Sequence, residues 1–329
     1  MAKIKYGQVG VGHPHASKIS AYRESDEWDV VGVVEPDDQL RAKAQQQDAY
    51  RDVNWMTFEE LLNVPDLQVV GVETKVAGLL DVAEQCIAAD KHIHLDKPAG
   101  NDLALYRRIL DEAARKHLAV QMGYMYRYNP GVVMLRDFLS RGWMGQPFEL
   151  HAVMSKKMDA SARQGMLQYI GGTMFDLGGH LIDLVVGFLG EPVKVHPFVQ
   201  HSSPIDDGLR DNMLAVFEYP QATATIRTSL NEVEGFARRH LTLCGTEGTF
   251  HMQPLDDPEA KVAFSQPHGK YQKGYQDVTL PKYRRYVADV ADLAQIVRGE
   301  KDANFSYEHD YAVQKSLFLA CGLPVDGRA

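Results

Sequence analysis

Three groups of residues in this 329-residue chain have types and spacings suited to proton and charge chemistry. The first is Gly171-Gly172-Thr173-Met174-Phe175-Asp176-Leu177-Gly178-Gly179-His180-Leu181-Ile182-Asp183, a glycine pair that runs into the apolar pattern of a helix. On a helix Asp176 and His180, four apart, share one face, and Asp183, three further on, lies near it. A carboxylate one turn from an imidazole holds its tautomer and raises its pKa, which suits a general acid or base. The glycines would let the start of this helix meet a cofactor closely. Read alone, the stretch fits equally a buried helix with a His–Asp hydrogen bond and no chemistry.

The second group is Asp96-Lys97-Pro98, at the end of the strand pattern His92-Ile93-His94-Leu95. A lysine at the carboxyl end of a strand is placed to point into a ligand cleft, and the proline restricts Lys97 to extended backbone, which aims its side chain. The bland alternative is a solvated lysine at a strand end. His92, His94 and Asp96 alternate along the strand as metal ligands could. The remaining ligands cannot be identified, and no metal is expected.

The third group follows the first strand pattern, residues 4–9. Gly10-Val11-Gly12 makes a turn, and Pro14 opens a helix in its first turn. A second apolar run, residues 30–34, ends at Glu35. This is the layout of a dinucleotide-binding βαβ unit. The glycines let the backbone approach a pyrophosphate, and the helix N-terminus offers N–H groups to its charge. Glu35 can accept hydrogen bonds from both ribose hydroxyls and would repel a 2′-phosphate, so NAD is favoured over NADP. The third glycine of the G-x-G-x-x-G pattern falls at His15. His13, Pro14 and His15 are expected beside the phosphates, the histidines not as metal ligands.

These groups need elements to hold them. Residues 40–47, 57–62, 79–89 and 102–116 read as helices, with a Thr57/Glu60 capping box at the second. Residues 67–72, 92–95 and 118–123 read as strands. The alternation predicts a doubly wound parallel sheet with ligand chemistry at the strands' carboxyl ends, among them Thr74 and Asp96. The chain changes character over Gly123–Pro130, which places a Rossmann domain over 1–124 and a second domain over 125–329. There Asn129 caps a helix opened by Pro130. Residues 147–154 read as a strand. The polar loop that follows carries Arg163 and Gln168, which with Tyr126 are candidate substrate contacts. Strand patterns at 193–199, 212–218, 222–230, 240–243 and 249–252, with no helices between, predict a largely antiparallel sheet. Residues 253–279 are expected to be loop-rich, and 286–297 and 307–320 helical.

The length suits two domains, and 45% hydrophobic with 24% charged residues is ordinary for a soluble globular chain. A net charge of −9 argues against a nucleic-acid partner. No apolar run of about 18 residues is present and no signal peptide is visible, so no membrane is expected. Cys86, Cys244 and Cys321 have no metal spacing and read as reduced thiols of a cytoplasmic protein.

With these groups in this order, the chain resembles the glucose–fructose oxidoreductase / inositol dehydrogenase family (Gfo/Idh/MocA) over nearly its whole length. The resemblance rests on Gly10-Val11-Gly12, on Asp96-Lys97-Pro98 where the family has Glu-Lys-Pro, and on Gly171-Gly172 through Asp176, His180 and Asp183. Tyr126-Arg127-Tyr128-Asn129-Pro130 also resembles the family's domain-crossing segment. The resemblance implies an N-terminal Rossmann domain and a C-terminal α+β domain on a largely antiparallel open sheet, whose exposed face forms homodimers or homotetramers. It implies oxidation of a sugar or cyclitol hydroxyl, or reduction of the ketone, with NAD or NADP. It matches Lys97, Asp176 and His180 to catalytic, substrate-facing positions, with Lys97 and Pro98 also at the cofactor and their peptide often cis. Four departures stand out: His15 for the third glycine, Asp96 for glutamate, Thr74-Lys75-Val76 for Thr-Pro-Asn, and Leu79 for the histidine that usually follows. The family also contains glycosidases that use bound NAD and regulators that do no chemistry. The intact Lys97, Asp176 and His180 set argues against a regulator.

Overall fold

The computed structural model describes residues 2–325. The chain divides into two units, Met1–Tyr124 with Arg285–Tyr307, and Met125–Arg284 with Glu308–Ala329. In the first, five apolar runs form β1 (Ile4–Val9), β2 (Trp28–Val34), β3 (Leu67–Val72), β4 (His92–Leu95) and β5 (Val120–Met122). All pair in parallel, in the order β2-β1-β3-β4-β5. Their apolar runs are nearly continuous because helices cover both faces of such a sheet. The helix Val76–Ala88 leads from β3 to β4, and Leu103–Arg115 leads from β4 to β5. The Thr57/Glu60 capping box forms, with Thr57 N donating to Glu60 Oε2 at 2.7 Å and Glu60 N to Thr57 Oγ1 at 3.2 Å.

The core on one side of this sheet stacks Tyr6 on Tyr22, ring centroids 3.7 Å apart, with Trp28 edge-on to Tyr22 at 4.9 Å. Val290, Leu293 and Ala294 of the helix Val287–Val297 complete it. The first unit therefore includes a segment from far down the chain, which a division at residue 124 does not anticipate.

The second unit carries β6 (Pro147–Ser155), β7 (Lys194–Gln200), β8 (Asn212–Glu218), β9 (Thr223–Ser229), β10 (His240–Gly245), β11 (Gly248–Met252), β12 (Ala260–Phe264) and β13 (Gly274–Val278). They form one sheet ordered β13-β12-β11-β10-β6-β9-β8-β7, antiparallel except for β6 with β9. Period-2 burial shows in β8, where Met213, Ala215 and Phe217 are buried and the residues between them half-buried. The expected loop at 253–279 is a correction, since it contains β12 and β13. Ala260, Val262 and Phe264 alternate inward, but the run is too short to stand out among its polar neighbours. β13 is a polar edge strand with one buried residue, Val278.

One ion cluster ties this unit together. Arg127 donates from Nε to Asp183 at 2.9 Å and from Nη2 to Asp310 at 2.5 Å, and all three side chains are buried. It links the segment entering the unit to the helix Gly179–Leu189, which packs on β6 and β9. No helix among the described residues is long and apolar enough to cross a membrane.

Two outcomes are expected. Arg127→Met leaves two buried carboxylates without their cation and should lower unfolding stability by about 3–5 kcal/mol; an unchanged urea midpoint would refute the clamp. At Gly10, φ is +96° and an added Cβ would lie 2.4 Å from the Glu73 carbonyl oxygen. Gly10→Ala should therefore destabilise the first unit by more than about 1 kcal/mol, read by thermal unfolding.

Candidate functional site

In the first unit the residues after β1 form the tight turn that the glycines suggest. Gly10 N donates to Val34 O at 2.9 Å, and Glu73 N to Val9 O at 2.7 Å. This ties the turn to the ends of β2 and β3. Glu35 is oriented by two backbone amides, Val11 N to Oε2 and Asp37 N to Oε1, both at 3.0 Å. Each carboxylate oxygen keeps a second lone pair, so Glu35 retains capacity for ribose hydroxyls. A cavity of about 200 Å³ lies here, lined by Val11, Gly12, His13, Pro14, Leu40 and Tyr50 among others. A turn with room only for glycine at Gly10, an oriented acid and an adjoining cavity fit a dinucleotide. Thr74 is half-buried after β3, its Oγ1 donating to Lys75 O at 3.3 Å.

Past the turn lies a buried charge network that the sequence reading did not foresee. Lys18 Nζ forms an ion pair with Glu73 at 2.7 Å and lies 4.0 Å from Asp96. Burial raises the pKa values of the Glu73 and Asp289 carboxyls, although Lys18 pulls both down. Asp96 meets His13 Nδ1 at 2.6 Å and His15 Nδ1 at 2.9 Å. Burial alone would raise the Asp96 carboxyl, but the two histidines hold it well below the usual carboxylate range. Lys97 and Pro98 follow, both buried and joined by a cis peptide. His92 accepts from Ala119 N at 2.8 Å, and His94 bonds the Tyr22 hydroxyl at 2.6 Å.

In the second unit Asp176, His180 and Asp183 are all buried, but they do not act as one set. Asp183 belongs to the Arg127 clamp. Asp176 lies in a π-helical turn, Met174–Gly178, that opens the helix carrying His180. Such wider turns are often found at functional sites. Lys156, at the end of β6, brings its Nζ to 3.7 Å from Asp176 Oδ2. Tyr126 packs edge-on against the His180 ring, centroids 5.1 Å apart and planes at 89°. The Tyr126 hydroxyl donates to Asp256 at 2.5 Å, and Asp256 accepts from Arg239 at 2.9 Å.

Several residues singled out in the sequence have partners within their own unit. Gly171 and Gly172 face their own unit: a Cβ on Gly171 would lie 2.5 Å from Cys321 Sγ, and one on Gly172, at φ +64°, 2.4 Å from Arg210 O. Internal packing accounts for both glycines. Arg163 is fully buried, where its guanidinium is gripped by Asp207 and, at 2.8 Å, Asp211; it organises the loop at 155–170. Gln168 is half-buried and donates locally to Gly165 O at 3.0 Å.

Two clusters gather metal-capable atoms, His13 with His15 and Asp96, and Asp183 with His309 and Asp310. In each a protein cation already sits against the carboxylates, Lys18 in the first and Arg127 in the second. Lys18, Lys156, Asp256 and Arg239 leave no local signal in the sequence, because each acts through a partner distant along the chain.

A model of the oxidoreductase family with an NAD-binding Rossmann fold matches residues 4–124, and one of the GFO/IDH/MocA C-terminal domain matches residues 132–251. Inositol 2-dehydrogenase of Salmonella paratyphi B is 28% identical over 223 residues, which are 65% of this chain and 63% of that protein, so less than two thirds of its length is spanned. Myo-inositol 2-dehydrogenase of Thermotoga maritima is 22% identical over 334 residues, covering 95% of this chain and 96% of that one. Levoglucosan dehydrogenase, solved in complex with NADH and levoglucosan, superposes with a TM-score of 0.82 at 17% identity over 98% and 97% of the two chains, a likeness of fold. The chain belongs to the Gfo/Idh/MocA family of oxidoreductases, and its N-terminal sheet is the family's NAD-binding Rossmann fold.

Proposed function

We propose that this protein is an NAD-dependent dehydrogenase that transfers a hydride between nicotinamide and the carbinol or ketone carbon of a sugar, sugar derivative or cyclitol. The observation that carries the reading is the buried His180 imidazole, braced edge-on by Tyr126, with Asp176 one turn before it. The inositol dehydrogenase relatives support the substrate class. Glu35, oriented by two amides, supports NAD over NADP, because a 2′-phosphate would meet its charge. The proposal includes a cytoplasmic homodimer or homotetramer associating through the half-buried face of the eight-stranded sheet.

When bound, the dinucleotide supplies the hydride acceptor or donor. In the oxidising direction His180 accepts the substrate hydroxyl proton, which a positioned imidazole does well near neutral pH. Asp176 fixes its orientation and stabilises the imidazolium. Lys97 donates a hydrogen bond that stabilises negative charge developing on the substrate oxygen. Tyr126, with its hydroxyl held by Asp256, keeps the imidazole in one rotamer.

His180→Ala and Lys97→Ala should each lower turnover by about 10²–10⁴-fold while leaving NAD affinity within a few-fold; full activity in both would sink the assignment. Screening sugars, inositols and sugar acids for net NADH formation separates a dehydrogenase from a redox-neutral hydrolase. Glu35→Gln should raise the NADP-to-NAD affinity ratio by about ten-fold, about 1.4 kcal/mol, in a direct binding titration. An unmoved ratio would remove Glu35 from cofactor choice.

A further inference from the structure

The His180 imidazole stands at one end of a chain of side-chain contacts whose other end lies far along the sequence. Tyr126 packs edge-on against the His180 ring, and its hydroxyl donates to Asp256 Oδ1 at 2.5 Å. The second oxygen of that carboxylate accepts from Arg239 Nη1 at 2.9 Å. Arg239 Nε donates to Ser155 O at 3.2 Å, and its guanidinium lies over the Phe236 ring, 3.8 Å from the centroid. Residues distant in the sequence are thus joined through one guanidinium.

The adjacent arginines have different surroundings. Arg238 is exposed and closes its own loop, donating from Nη2 to Glu232 Oε2 at 2.8 Å. Arg239 is buried, and a guanidinium so placed needs a compensating anion, which Asp256 supplies. The backbone fixes both: Leu255 N donates to Arg239 O at 3.1 Å, and Asn129 Nδ2 donates to Leu255 O at 2.9 Å. Gly235 lets this loop press on the end of β6, since a Cβ there would lie 2.8 Å from Ser155 O.

A carboxylate pinned in this way holds the hydroxyl end of the Tyr126 ring, and that ring limits how His180 can turn. The same guanidinium holds the carbonyl of Ser155, the neighbour of Lys156, whose Nζ approaches Asp176. Arg239 therefore bears on both His180 and Asp176. We infer that Arg239 is a positioning residue, which keeps the His180 imidazole oriented for proton transfer through Asp256 and Tyr126. Its catalytic consequence rests on the dehydrogenase reading; its hold on the ring rests on these contacts alone. Placement matters to rate because a shift of about 1 Å at a reacting group can cost about 10²-fold.

Isotopic labelling of the histidines in the full chain gives an NMR ring signal for His180, identified by its loss in His180→Gln. Arg239→Met keeps an unbranched apolar stem and removes the charge. It should move that signal, as should Tyr126→Phe, and it should add little once Tyr126 is already phenylalanine. With the best substrate among myo-inositol, other sugars and sugar acids, each variant should lower kcat about ten- to hundred-fold and leave the KM for NAD within about two-fold. Arg239→Lys, which keeps a cation for Asp256, should recover part of the loss. An unmoved ring signal overturns the inference, and so does a moved signal with unchanged kcat. Fully additive losses overturn it too, since they mean a general weakening of the unit rather than a path through Tyr126. Should Arg239→Met fail to fold, Tyr126→Phe, with Arg239→Lys, decides by the same readouts. If His180→Ala keeps full turnover, or no compound tried yields NADH, the dehydrogenase reading falls and the catalytic role of Arg239 with it; the ring signal then decides separately whether Arg239 orients His180.

Discussion

The buried ammonium of Lys18 holds the ligand end of the first unit together. Lys18 rises from the segment after the glycine turn and reaches Glu73 beyond β3 and Asp96 beyond β4. Removing an ammonium from water is very unfavourable unless anions surround it, so the three strand ends are held in register by charge as well as by the ladder. Gly123 lies against the same point, since a Cβ there would come 3.1 Å from Lys18 Nζ. The arrangement of Asp96 and its two histidines depends on this centre.

The second unit uses the same device, again a buried cation between two carboxylates. Arg127 stands between Asp183 and Asp310, and the helix bearing His180 is held by a residue just inside the unit's first boundary. That helix begins with a widened turn, where a Cβ on Gly178 would lie 2.3 Å from Met174 Sδ and the Met174 side chain would have to move. Small residues thus serve the packing of the turn, and the polar residues Asp176, Lys156 and Tyr126 are what its surroundings add.

What could be read in the sequence divides along the range of the forces involved. β1, β3, β4 and β8 are legible to the residue, because apolar runs and turn residues act locally. So are the Thr57/Glu60 box and the Asn129 cap, which bonds Gly131 N at 2.9 Å. The positions of Lys97, Asp176 and His180 are legible as motifs, yet Lys156 beside Asp176 is not, since only the fold brings an ion pair of that separation together. Asp183 and Arg163 look like site residues by type, and only the fold brings each against a buried partner of opposite charge, Arg127 and Asp211. β12 and β13 escape because short, polar edge strands carry little hydrophobic signal.

The helix Val287–Val297 has a consequence for how the protein comes into being. Its Val290, Leu293 and Ala294 fill part of the core beneath β1 and β2, so the first unit to leave the ribosome cannot close until most of the second has been made. At ordinary elongation rates that delay is on the order of ten seconds. During it the Tyr6, Tyr22 and Trp28 stack lacks its final cover, and the nascent chain presents an apolar surface to which chaperones can bind. The order of synthesis and the order of completion are reversed: the Rossmann unit begins first and is sealed late.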